Sequence, residues 1–482
     1  MLRKRINELR RLAQPLEPEA KVRRELLKRI IQYSEDFLEN IYKLPAFVLT
    51  ENNGKGIDRC PIAETPIPID GVLQLLDQHV NRPGLNPASG AHLGYIPGGG
   101  IYYSALGDYL ADVFNRYAGV FFAGPGAVSM ENMLLRWMAN LVGYPESSAG
   151  NLTSGGSIAN LIGIVTAREA FDLQPENIER TVVYLTEQAH HSVHKALRIA
   201  GLKRCIMRYV SMDSRYRMQA RALEQAVVQD KKDGLIPWLI VASAGTTDTG
   251  AIDPIKDIAR IAKKHNLWFH LDGAYGAFFI LCDEGKKLLQ GIEDSDSLVM
   301  DPHKGLFLPY GSGAILVKDG QKLLEAHYYM PNYLQDTLAS REELSPADLS
   351  PELTRPFRGL RLWIALKLIG VAPFRAALEE KLWLARYFYE KIQEIGGFEV
   401  GPYPDLSVVT FRYVPPRGDA NEFNRRLIQE IHRDGRVFIS STMLDGKFTL
   451  RVAILAFRTH LETIDLALEI LKEKAENIAR NF

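Results

Sequence analysis

The sequence predicts an α/β protein built on a mostly parallel sheet, with a helical arm ahead of it and a smaller α+β unit behind it. Two observations carry this. Short apolar runs rich in β-branched residues alternate with helical patterns of ten or more residues, the rhythm of strand–helix–strand units. Residues with chemistry to offer fall at the ends of those runs, where open α/β sheets bind ligands. The 482 residues exceed one ordinary domain and suit two or three packed units.

Residues 1–85 read as helices followed by a Pro-rich stretch (Pro61, Pro66, Pro68, Pro83), an arm that packs on something else. From residue 86 the alternation begins. Buried strands are predicted at 181–185 (TVVYL), 238–243, 267–272, 297–301 and 313–317 (GAILV), with helices at 157–171, 191–201 and 254–265 between several of them. The stretch 320–356 is irregular and proline-punctuated, and 330–350 reads as a mobile loop. From 357 a long helical pattern leads into further β–α alternation. The expected division is an arm at 1–85, a large domain at 86–355 and a small domain at 356–482.

Composition excludes several classes. With 46% hydrophobic and 24% charged residues the chain is globular rather than disordered. Lys plus Arg (58) equal Asp plus Glu (58), so no net field draws the protein to nucleic acid or an anionic membrane. The basic residues of the first thirty positions read as the solvated faces of amphipathic helices. The three cysteines, Cys60, Cys205 and Cys282, have no metal spacing and form no even framework, which fits a reducing compartment. No apolar run is long enough to span a bilayer, and the charged start does not look like a signal peptide. A cytoplasmic enzyme, plausibly oligomeric, is the expectation.

The strongest chemical constellation is Asp301-Pro302-His303-Lys304-Gly305 at a strand end. Lysine forms Schiff bases with aldehydes, and burial frees its amine. Taken alone, a solvated lysine is the better reading, since most lysines are exposed; the other motifs reverse it. In Trp268-Phe269-His270-Leu271-Asp272-Gly273 an acid closes an apolar strand, where burial demands a cation or donor; a protonated pyridine nitrogen is one such partner, and a helix cap is the plain alternative. Thr153-Ser154-Gly155-Gly156-Ser157 opens a helix and could cradle a phosphate, although Gly-Gly-Ser alone is usually a turn. Gln188-Ala189-His190-His191-Ser192-Val193-His194 offers either a ring-stacking His190 or, less well, a zinc pair of His190 and His194, for which no further ligand follows at suitable spacing.

In this order, from about Asn86 to about Trp363, these motifs resemble the group II pyridoxal-phosphate decarboxylases, the family of aromatic amino acid, histidine and glutamate decarboxylases. The resemblance implies the aspartate-aminotransferase-like fold (fold type I), pyridoxal 5′-phosphate as cofactor, and homodimers with shared active sites. Carried onto this chain, it implies that Lys304 holds the cofactor as a Schiff base. Asp272 pairs with the pyridine nitrogen, His190 stacks on the ring, and Ser154, Gly155 and Gly156 cradle the phosphate. Thr247, Asp301 and His303 complete the cofactor site, with Asp301 where the family usually has asparagine. Tyr333 takes the position of the family's loop tyrosine, which protonates the α-carbon. Ile96, Pro97 and Gly98 fall where the family contacts substrate, in an unusual glycine run, and Arg458 is a carboxylate-binding candidate. Phe121 and Phe122 could reach a partner's site, though core packing is the better reading for either.

The implied activity is decarboxylation of an L-amino acid, aromatic by preference, to the amine and carbon dioxide. An acidic substrate is the alternative, since the Ser154–Gly156 and Gly245-Thr246-Thr247 segments look more like glutamate decarboxylase. An aminotransferase or carbon–carbon lyase of the same fold, a non-catalytic cofactor binder and a zinc hydrolase are the remaining readings. No nucleic acid, membrane or metal partner is expected.

Overall fold

The structure, a computed structural model, describes residues 1–50, 54–329, 343–480 and 482. Its centre is a seven-stranded sheet: β1 (Ala149–Thr153), β2 (Thr181–Leu185), β3 (Ile206–Tyr209), β4 (Ile236–Ser243), β5 (Trp268–Asp272), β6 (Ser297–Met300) and β7 (Gly313–Val317), in the order β1-β7-β6-β5-β4-β2-β3. Strands β2 to β6 pair in parallel, whereas β7 runs antiparallel to both β6 and β1. The expected mostly parallel sheet is present. Strands β2, β5, β6 and β7 are buried along their whole length, because helices cover both faces and alternation would leave polar side chains without water.

One face packs on helices Pro125–Leu141, Ala220–Lys232 and Ile255–His265, the other on Gly156–Ala170 and His191–Ile199. Helix Ile255–His265 shows why its sequence folds so: Ile255, Ile258, Ala259, Ile261 and Ala262 are buried on one stripe, and Lys263, Lys264 and His265 lie in its last turn, where the helix dipole favours cations.

A second, antiparallel sheet holds β8 (Phe398–Val400), β9 (Val408–Tyr413), β10 (Ser440–Leu444) and β11 (Lys447–Ala453), in the order β8-β9-β11-β10. It has its own core with helices Ala372–Gln393, Ala420–Asp434 and Leu461–Ala479. The chain at 91–93 docks on this core: Leu93 N–H donates to the Phe438 carbonyl, and Ala453 N–H to that of Leu93.

Two expectations need correction. The predicted loop 330–350 is in part a packed segment. Residues 330–342, Tyr333 among them, lie outside the described residues. Residues 345–350 instead form a seam with a short 3₁₀ turn at Pro346–Leu349. There Asn151 Nδ2 donates to the Pro346 carbonyl at 2.8 Å and Phe121 N–H to Ser345 Oγ at 3.0 Å. Pro346, which read as loop punctuation, is buried there, whereas Pro351 and Pro356 are exposed. Phe122, expected in the core, is 58% exposed. Among the described residues no helix is long and apolar enough to cross a membrane.

Candidate active site

The carboxyl ends of β2, β4, β5 and β6 converge on a cavity of ≈ 240 Å³, where the fold predicts ligand binding. Ser154, Gly155, Gly156, His190, Thr247, Asp272, Asp301, His303 and Lys304 all line it. All nine residues of the expected cofactor site are therefore brought together.

Each is positioned by local chemistry. Asp272 is the last residue of β5; its Oδ2 accepts from Asn160 Nδ2 at 3.0 Å and its Oδ1 from Ala274 N–H at 3.2 Å. Lys304 sits on the one-turn helix Pro302–Gly305, with Pro302 at the first turn, where its missing N–H costs nothing. Lys304 Nζ stands 3.2 Å from Oδ2 of the buried Asp301. The Asp301 Oδ1 atom is buried and has no hydrogen-bond partner among the described residues. His303 Nδ1 donates to the Ser312 carbonyl at 2.6 Å, and burial holds this imidazole below its usual range.

His190 caps helix His191–Ile199 rather than lying on it, and its Nδ1 accepts from Ser192 N–H. Burial lowers its basicity, and the nearby Asp272 carboxylate partly offsets this. His194 faces elsewhere, with Nε2 at 2.9 Å from Tyr209 Oη. Among the described residues no three His, Cys, Asp or Glu side chains are grouped to hold a metal.

Opposite β5, helix Gly156–Ala170 begins at the cavity wall. Gly155 has φ +151°, reached without strain by glycine alone, and an added Cβ would lie 3.4 Å from His303 Cε1. At Gly156 a Cβ would stand 3.0 Å from Asp301 Oδ2 and 3.2 Å from Ala274 Cβ. The two glycines thus keep open a cradle that any side chain would fill. Helix-start N–H groups, the hydroxyls of Ser154, Ser157, Thr246 and Thr247, an acid, an amine and an imidazole share this one space. That donor set fits pyridoxal phosphate, which needs anion-binding amides, an acid for the ring nitrogen and a lysine for the aldehyde.

The expected substrate residues separate. Gly98 lines a second cavity of ≈ 510 Å³ with Gly99, Gly100, Pro309 and Tyr310, and His303 belongs to both spaces. Gly98 packs against His303 so closely that a Cβ would fall 2.1 Å from its carbonyl oxygen. Ile96 is instead buried in the main core and Pro97 is buried beside it; neither lines either cavity. Arg458 does not reach the cavities: its Nη1 donates to the carbonyls of Ala88 and Gly99 at 3.1 and 3.2 Å, and its guanidinium lies over Phe457. It braces the glycine run from behind.

Nine further wall residues had no site role in the sequence reading, Asn160, Ser243 and Tyr275 among them. Asn160 lies four residues beyond Gly156, one helical turn, which was the available signal. Tyr275 ties the two sheets together by a 2.7 Å bond between its Oη and Ser407 Oγ, and burial pushes its phenol up to about 12.

Comparison with known proteins agrees with this geometry. Residues 85–414 match the model of the pyridoxal-dependent decarboxylase conserved domain. An aromatic-L-amino-acid decarboxylase of Bacillus atrophaeus is 34% identical over 395 residues, 81% of this chain and 82% of that one. Tyrosine decarboxylase 2 of Arabidopsis thaliana is 32% identical over 401 residues, 79% of this chain and 74% of its own length. A crystal structure of Oryza sativa TDC with PLP and tryptamine superposes with a TM-score of 0.90 at 25% identity, covering 96% of this chain and 99% of that one. The chain belongs to the pyridoxal-dependent decarboxylase family, and it is a pyridoxal-phosphate-dependent carboxy-lyase acting on an amino acid.

Proposed function

We propose that the substrate is an aromatic L-amino acid, converted to its amine and carbon dioxide, with Lys304 as the amine that carries the cofactor. The observation that carries the site assignment is the convergence of Lys304, Asp272 and His190 on one cavity beside the glycine cradle. Substrate class follows from the adjoining cavity. Its walls include Phe37, Gly98, Gly99, Gly100, Leu308 and Tyr310 and, among the described residues, no lysine or arginine. An acidic side chain would need a cation there, and burial lowers the pKa of His303, which disfavours its charged form. The relatives named for aromatic amino acids and tyrosine point the same way.

The cofactor, when bound, supplies the electron sink that accepts the pair left behind as carbon dioxide departs. The protein's part is orientation and charge. Asp272, held by two donors, keeps a negative charge available for a ring nitrogen. Ser154, Gly155, Gly156 and Thr247 would hold the phosphate. Asp301 keeps the Lys304 amine within the cavity, and His303 joins the two spaces. His190 presents a ring face and a proton at the site. Tyr333, outside the described residues, is assigned the protonation of the product carbon by the family resemblance alone; Tyr333→Phe should then divert product from amine toward aldehyde.

We also propose a homodimer. Helices Leu2–Leu12 and Ala20–Asn40 contain no buried residue, yet expose Ile6, Leu9, Leu12, Ile30 and Ile31. A second copy would cover them, and Phe122 would reach the partner's site. We propose likewise that the chain divides after residues 85 and 355 and works in the cytoplasm.

The test is a product assay. The purified protein, loaded with pyridoxal phosphate, is incubated with each common L-amino acid and its products are read by mass spectrometry. Amine from Tyr, Trp or Phe supports the reading; amine only from Glu or Asp overturns the substrate class.

A further inference from the structure

Beneath the cavity floor runs a chain of hydrogen bonds. Trp268 Nε1–H donates to Ser297 Oγ at 2.8 Å. Ser297 Oγ meets His270 Nδ1 at 2.7 Å, and His270 Nε2 meets Asn160 Oδ1 at 2.7 Å. The Asn160 amide then branches, with Nδ2 donating to Asp272 Oδ2 and to Ser192 Oγ, each at 3.0 Å. Ser192 Oγ stands 2.7 Å from His190 Nδ1. Trp268 and the four intermediaries Ser297, His270, Asn160 and Ser192 are all buried.

Only one set of proton positions satisfies every bond. A carboxylate accepts and cannot donate, so Asn160 must turn its amide nitrogen to Asp272 and its carbonyl to His270. His270 must then donate from Nε2. Burial pushes this imidazole down to about 4, so near neutral pH it carries one proton. Its Nδ1 therefore accepts, the Ser297 hydroxyl donates to it, and Ser297 takes the indole N–H on a lone pair. On the other branch the Ser192 backbone N–H donates to His190 Nδ1 at 3.3 Å, so that nitrogen carries no hydrogen, and the Ser192 hydroxyl, which accepts from Asn160, donates to the same nitrogen. A neutral His190 is left with its proton on Nε2.

We propose that His270, Asn160 and Ser192 are positioning residues which, through this directed chain, hold Asp272 ready as an anion and set the tautomer of His190. The proposal rests on the reading that Asp272 and His190 serve the cofactor.

The test uses the full-length protein labelled with ¹⁵N-histidine, with and without pyridoxal phosphate, His190 being assigned by its loss in His190→Gln. The native protein should show His190 as the Nε2–H tautomer, with Nδ1 shifted as a hydrogen-bond acceptor. Ser192→Ala, which cuts only one branch, should move that Nδ1 signal and make the Nδ1–H form detectable. His270→Phe should do the same and lower kcat by about tenfold, the scale typical of lost outer partners, with KM little changed. It should also alter the visible absorption of the cofactor-loaded protein. His270→Gln, whose amide N–H can replace the Nε2 donor, should restore most of both. A native Nδ1–H tautomer, or native His190 signals in Ser192→Ala, would overturn the proposal even if His270→Phe failed to fold. If native protein shows the predicted tautomer but gives no borohydride-reducible adduct at Lys304, the cofactor assignment fails and the wiring stands.

Discussion

The cavity floor and the N-terminal arm are chemical opposites. Under the cavity, Asp272, Asn160, His270 and Ser297 are polar groups in an apolar interior, each matched by a partner at 2.7–3.0 Å. Along the arm, Ile6, Leu9, Ile30 and Ile31 are apolar groups left at the surface. Buried polar atoms persist only when paired, and apolar stripes on helices persist only when something covers them. The contrast separates what one chain can complete by itself from what it leaves for a second molecule. The floor is finished internally; the cradle above it would hold a phosphate, and the arm's apolar stripe is what the proposed second copy would cover.

Substitutions can sharpen or break that contrast. The largest effect is expected from Lys304→Ala, which should abolish turnover by several orders of magnitude while circular dichroism stays native, since the side chain is partly exposed and carries no core packing. Full activity would end the assignment. Asp272→Asn keeps the shape of the floor but removes its charge, and kcat should fall by roughly 10²–10³-fold, as when a preorganised electrostatic partner is lost. Steady-state kinetics decides, and a loss under threefold would show the charge to be idle.

On the arm, Ile30→Glu with Ile31→Glu should shift the protein toward monomer in sedimentation velocity without lowering the melting temperature of the remaining fold. An unchanged sedimentation coefficient would mean that the stripe faces nothing. The smallest effect concerns His92, which breaks the rule of the floor: it is buried, and neither ring nitrogen has a hydrogen-bond partner among the described residues. Burial depresses its pKa from 6.5 to about 4. The unfolded chain therefore binds a proton on that ring before the folded one does, and stability is lost as pH falls from 6.5 toward 4, by at most about 3 kcal/mol. His92→Phe should flatten that part of the urea midpoint against pH.

Much of this was legible in the sequence, for physical reasons that also mark its limits. Strands at 181–185 and 313–317 read to the residue because both faces are buried, so the apolar run is continuous. The strand Ala149–Thr153 was not read: AGNLT carries an asparagine and a threonine that look like loop, yet both are buried. Lys304, Asp272, His190 and the glycine pair, which share one cavity, stood out in the sequence because each sits at a strand end or helix start. Asn160 and His270 were passed over because their role exists only across elements. Arg458, read as a carboxylate-binding candidate, is paired here with backbone carbonyls, a way of satisfying a buried arginine that the sequence does not show.

His270 and Ser297 are direct neighbours across the β5–β6 ladder, and Asp272 opposes Val299 two positions on. A slip of one residue in that pairing would set Leu298 or Asp296 opposite His270 in place of the serine, and would turn each side chain of one strand to the other face. The sheet register is thereby read out by the active site itself. A chain that pairs its strands wrongly could still bury its hydrophobic residues, but it would assemble no working site, so turnover can serve as a sensor of correct folding at single-residue precision.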